Sequence, residues 1–172
     1  KLDDGDSMKI VPVKINDLAD FQSKLAQYNS GKYKVAGFIH EICLMNYGGV
    51  LLDRDYAQQV YALCHESDVP VMADEIQSWL YLFRIFGLTP DFVIIGKGFS
   101  GGEYPASKVI TTAAMDNLNQ FGALVTNGQE ELASLSYLVT MKFVEENGAM
   151  VQEMGDLYQS GLRQLVDDFP TL

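Results

Sequence analysis

Three short apolar runs, "AGFIHE" at 36–41, "VPVMADE" at 69–75 and "DFVIIGK" at 91–97, each finish on charged residues, and each is separated from the next by a stretch with helical spacing. Runs this short and this continuously apolar suit strands covered on both sides better than helices. Their alternation with helix-like segments predicts an α/β fold of three layers, a mostly parallel sheet with helices on both faces. In such sheets ligands gather at the carboxyl ends of the strands. Glu41, Asp74, Glu75 and Lys97 all fall there.

The rest of the chain fills in around these runs. "MKIVPVKI" at 8–15 reads as an extended segment, and Asn16 or Asp17 can cap a helix reaching about Tyr28. "YGGV" marks a Gly-Gly turn, and Asp53 is the predicted N-cap of a helix with Tyr56, Val60, Leu63 and Cys64 on one face. "SWLYLFRIFGL" predicts a short helix closed by Gly87, with Pro90 turning into the next strand. "ASKVITTAA" reads as a fourth strand, and two helices broken at "ENGA" are expected from about Gly128 onward. With no internal repeat, low-complexity tract or linker, one continuous domain is the simplest partition. The chain opens on Lys1 and stops at "DDFPTL" directly after a helix-like segment, as expected of a piece of a longer protein.

Charge and cysteine usage narrow the function classes. Twelve Lys and Arg against 23 Asp and Glu give a net charge of −11, which repels a nucleic-acid backbone, and the basic residues are scattered singly. No apolar run approaches the roughly 20 residues of a membrane helix, and no signal segment opens the chain, so a cytoplasmic protein is expected. Cys43 and Cys64 form no CxxC and read as two reduced, buried thiols, and no metal site is expected.

Two charges stand out against their surroundings. A carboxylate such as Asp74, at the end of "VPVMA", is poorly hydrated and calls for a cationic partner. Lys97 follows a stiff apolar run and precedes bare glycine backbone, and a partly desolvated ammonium there yields a nucleophilic amine more readily. A buried ion pair between the two would account for both. Gly96, Gly98 and Gly101 also spell GxGxxG, but a dinucleotide loop needs a helix opening at the last glycine and an acid about 20 residues on, whereas "GGEYPASKVITT" points to a strand.

Taken in order, "ADEIQ" at 73–77, "TPDFVIIGKGFSGGEYP" at 89–105 and Thr126 resemble the class III pyridoxal-phosphate-dependent aminotransferases of fold type I. The intervals, 23 residues from Asp74 to Lys97 and 29 from Lys97 to Thr126, agree with that family, and "AGFIHE" with "GGV" at 48–50 is similar to its strand-E-turn-GGV segment. The resemblance covers about residues 34–148. It implies that Lys97 is the Schiff-base lysine and also the proton carrier, and that Asp74 partners the pyridine nitrogen of the cofactor, which is the cation that aspartate lacked. It further implies that Gln77 approaches the cofactor's phenolic oxygen and that Thr126 binds its phosphate across a dimer interface. On pattern alone Gln77 also suits a turn or helix start, and Thr126 an N-cap. Glu41 and Glu75 would help shape the site without a proton-transfer step, and the glycines would let the backbone turn sharply around Lys97.

The implied activity is transamination between an amino acid or amine and a keto acid, in a homodimer. An aminomutase or racemase of the same fold, and a catalytically inactive fragment, are the alternatives. Residues 1–172 would be a partial cofactor-binding large domain, without the family's N-terminal phosphate-binding loop, its ring-stacking aromatic residue and its C-terminal small domain. The chain also departs from the family pattern in three places: the loop after Gln77 is several residues shorter, "ICLM" follows Glu41, and Glu103 interrupts a glycine run.

Overall fold

The computed structural model describes residues 9–32, 34–78, 81–119 and 130–170. Their contacts gather into two compact units, one from the described residues of 1–98 and 107–124, the other from those of 99–106 and 125–172.

The first unit runs α1 (Leu18–Tyr28), β1 (Phe38–His40), β2 (Cys43–Leu44), β3 (Val50–Leu51), α2 (Arg54–Glu66), β4 (Val71–Asp74), α3 (Leu82–Ile85), β5 (Phe92–Ile95) and β6 (Lys108–Thr111). A four-stranded sheet takes the order β1-β4-β5-β6. β1, β4 and β5 are parallel, with Phe38 opposite Val71 and Ala73 opposite Val93, while β6 runs antiparallel to β5. The α/β, mostly parallel architecture is therefore present, with an antiparallel edge strand.

Local chemistry sets the boundaries. The Asp17 carboxylate accepts the Asp20 N–H at 2.9 Å and starts α1 where the sequence placed it. Asp53 does precede α2, yet its side chain caps nothing; instead its own N–H donates to Asn16 Oδ1 at 2.9 Å. β2 and β3 form a small antiparallel ribbon that turns through Gly48 and Gly49, at φ +84° and +75°. Two successive left-handed residues are cheap only for glycine.

β4 buries Val71 and Ala73, β5 buries Val93 and Ile95, and the in-phase register puts these on one side of the sheet. The core they join includes Phe21 of α1, Ile42, and Tyr56, Val60, Tyr61 and Cys64 of α2. Burial pushes the Cys64 thiol up to about 12, so it is an inert apolar group. Cys43 is also a free thiol but is only half-buried, because it lies in the β2–β3 ribbon outside that core.

Asp91 staples the sheet. Its Oδ2 accepts the Val71 N–H at 2.8 Å, its N–H donates to the Val71 carbonyl at 2.9 Å, and its carbonyl accepts the Thr111 hydroxyl at 3.0 Å. One residue thus ties β4 and β6 to the start of β5.

In the second unit, α4 (Glu131–Glu146) and α5 (Gly148–Asp168) are separated at Asn147, as the "ENGA" break predicted. α4 buries Ala133 and Tyr137, and the Tyr137 ring lies 4.7 Å from that of Phe99.

Two expectations are corrected. Residues 9–15 join no strand: Pro12 offers no N–H, and the Lys14 N–H is taken by Asp20 Oδ2 at 2.9 Å. "DFVIIGK" stops being a strand at Ile95, because Lys97 has φ +40° and opens a 3₁₀ turn over Lys97–Ser100. No helix begins between that turn and β6, which removes the structural context a dinucleotide-binding GxGxxG requires. Among the described residues, no helix is long and apolar enough to cross a membrane, and no cluster of ligating side chains could hold a metal ion.

Candidate active site

β4 and β5 lie side by side, run in the same direction and end at the same edge, with Asp74 opposite Ile94. That arrangement brings the "ADEIQ" and "VIIGK" segments together. Lys97 Nζ donates to Gln77 Oε1 at 2.8 Å, joining side chains 20 positions apart. Asp74 is half-buried at the end of β4, and its Oδ1 accepts the N–H of Ile76 at 3.1 Å. The ammonium thus reaches the amide and the carboxylate orders its own turn, so a buried ion pair does not account for these two charges. Lys97 is exposed, so the apolar run behind it does not desolvate it as the sequence led one to expect.

The backbone at Lys97 carries a cost. A non-glycine residue at φ +40° lies in the left-handed region, disfavoured by about 1–2 kcal/mol for an L residue.

Gly96 has a different reason to be glycine. A Cβ there would meet Ile76 Cγ1 at 2.9 Å and Ser107 Cβ at 3.3 Å. The missing side chain lets Ile76 close over the end of β5, and Ile76 is the neighbour of Gln77. Gly101 and Gly102, at φ +68° and +81°, then carry the chain onward through left-handed turns.

Glu75, expected from the resemblance to help shape the site, and His40, which the sequence reading did not single out, complete this edge of the sheet. Glu75 is fully buried; its Oε1 accepts the Phe83 N–H at 2.6 Å and its Oε2 the Leu82 N–H at 3.0 Å. Burial pushes its carboxyl above the usual range, and the backbone donors oppose that rise. His40, at the end of β1, has Nδ1 3.2 Å from the Glu41 carbonyl and Nε2 2.9 Å from the Tyr61 hydroxyl. A carbonyl can only accept, so Nδ1 carries the proton and Nε2 accepts from Tyr61. Burial lowers His40 to about 4, the Glu41 carbonyl and the Asp74 charge opposing that fall, so the ring is neutral near pH 7. A lone histidine in an apolar strand was the available signal, but its tyrosine partner is 21 residues on. Thr126 lies outside the described residues.

A family model described as aminotransferase class-III matches residues 9–169. The chain is similar to the acetylornithine aminotransferase of Synechocystis sp., 28% identical over 169 residues that make up 93% of this chain and 39% of that protein. Among solved structures it is similar to Plasmodium falciparum ornithine delta-aminotransferase, with a TM-score of 0.77, 25% identity, and 91% of this chain aligned to 42% of that one. It also shares its fold with the ornithine aminotransferase of Toxoplasma gondii, seen with partial occupancy of PLP at the active site (TM-score 0.77, 22% identity, 91% of this chain and 39% of that one). The chain spans about two fifths of the length of these relatives.

Proposed function

Because this chain belongs to the class-III aminotransferase family, we propose that it is part of the cofactor-binding large domain of a pyridoxal-phosphate-dependent transaminase that moves an amino group between an amino acid or amine and a keto acid. The observation that carries the reading is the Gln77–Lys97 hydrogen bond at the carboxyl edge of the sheet, with Asp74 ending the adjacent strand. The donor set fits the group: a carboxylate for a protonated ring nitrogen, a primary amine for an aldehyde and an amide for a phenolic oxygen, beside a backbone with no Cβ at Gly96.

Pyridoxal phosphate, when bound, supplies an aldehyde that amines condense with and a ring that withdraws electrons from the substrate carbon. Asp74 would hold a proton at the ring nitrogen through its carboxylate. Lys97 would bind the cofactor through Nζ and, as a free amine, carry a proton at that same atom. Gln77 would orient both by holding Lys97 Nζ on one side and the phenolic oxygen on the other. Thr126 would bind the phosphate from the second chain of a homodimer. Relatives named for ornithine and acetylornithine support an amino-acid donor. The two free thiols support a reducing compartment such as the cytoplasm.

The test is an absorbance spectrum of the full-length protein with pyridoxal phosphate before and after borohydride. A yellow band that borohydride bleaches and fixes is expected, absent in Lys97→Ala. Asp74→Ala should keep the band and lose turnover. A Lys97→Ala variant that behaves as wild type would overturn the assignment.

A further inference from the structure

The carboxylate of Glu75 is the one large charged group buried completely among the described residues, and none of the described ion pairs includes it. A charge so placed persists only when its oxygens are saturated by other donors. Here they are met by backbone: the Leu82 and Phe83 N–H groups, with the Tyr81 N–H also turned toward the carboxylate. Tyr81 has φ +61°, which aims successive N–H groups at a single point. The side chain thereby closes a ring of seven to eight residues, running from the end of β4 to the first turn of α3.

Gln77 sits inside that ring, two residues past Glu75. On one side the ring is anchored by β4, on the other by the clamp at 82–83, and its Ile76 packs on Gly96. We propose that Glu75 is a positioning residue: by clamping the turn of α3 it holds Gln77 where its amide oxygen meets Lys97 Nζ, and so sets cofactor affinity without touching cofactor or substrate. This rests on the cofactor reading above. A capping role alone would leave Gln77 independent of Glu75. The proposal makes the two act as one unit.

Coupling between positions 75 and 77 decides the matter. Pyridoxal-phosphate affinity is measured by titration on full-length wild type, Glu75→Gln, Gln77→Ala and the double variant, with backbone amide exchange at Leu82 and Phe83 followed in the cofactor-free protein. Glu75→Gln should speed exchange at both amides and weaken the cofactor on the order of tenfold, and the double variant should be no weaker than Gln77→Ala alone. Glu75→Asp, one methylene shorter but still anionic, takes its place if the glutamine variant does not fold. Independent, multiplying effects at 75 and 77 would overturn the proposal, as would a Glu75→Gln protein that loses thermal stability while binding cofactor like wild type. Absence of the borohydride-fixed link from wild type would remove the cofactor reading and this inference together, whereas independence with that link intact removes this inference alone.

Discussion

His40 links the site's edge to the core, and its titration gives a quantitative test. The folded protein keeps this ring neutral down to about 4 because burial penalises the imidazolium, while the unfolded chain takes up a proton near 6.5. Between those two values the unfolded state binds more protons than the folded one, so stability rises with pH across the window and falls as pH drops from 6.5 toward 4. At about 1.4 kcal/mol per pH unit, the gap amounts to about 3 kcal/mol. His40→Gln retains an amide for Tyr61 and the Glu41 carbonyl but cannot titrate there. Urea unfolding at pH 7, 5.5 and 4.5 should show wild type losing about 2 kcal/mol more than His40→Gln over that range, the carboxylates cancelling in the difference. Parallel stability curves, or an NMR titration of the His40 ring with a midpoint near 6.5, would refute the burial argument.

Gly96→Ala places a methyl against Ile76 and should destabilise by about 1–3 kcal/mol, while lengthening the Gln77–Lys97 contact and weakening cofactor binding; unfolding midpoints and a cofactor titration report both. Asp91→Ala leaves the Val71 N–H without its acceptor at a buried strand start, an expected loss of about 1–3 kcal/mol by chemical denaturation. Ile42 is fully buried, and Ile42→Ala should cost about 2–5 kcal/mol in the same assay without changing the site's spectrum.

The elements with self-contained signals were legible from sequence. Asp17 and Asn147 mark helix boundaries because the chemistry that starts or breaks a helix lies within a few residues of them. β4 and β5 were legible because only a covered strand is apolar over so short a run. Asp74 and Lys97 could be singled out because a charge at the end of such a strand needs a reason; Gln77 came only from the family resemblance, and the structure does bring it to Lys97.

What escaped was whatever depends on a partner far along the chain. The segment at 9–15 is extended by pattern, yet pattern cannot say that it lacks a neighbouring strand. β6 reads as a strand, but its antiparallel pairing with β5 is a matter of topology that no local residue pattern carries. Glu75 was expected to help shape the site, but its partners are backbone N–H groups, which carry no sequence identity. The expected desolvation of Lys97 failed because the apolar run ends at Ile95, and the positive φ at Lys97 turns the side chain out of the strand's environment.

Locating the cofactor on the polypeptide tests the central claim most directly. Full-length protein is incubated with pyridoxal phosphate, reduced with borohydride, digested and mapped by mass spectrometry. The account predicts a single stable adduct on Lys97; an adduct on another lysine, or none at all, would contradict it.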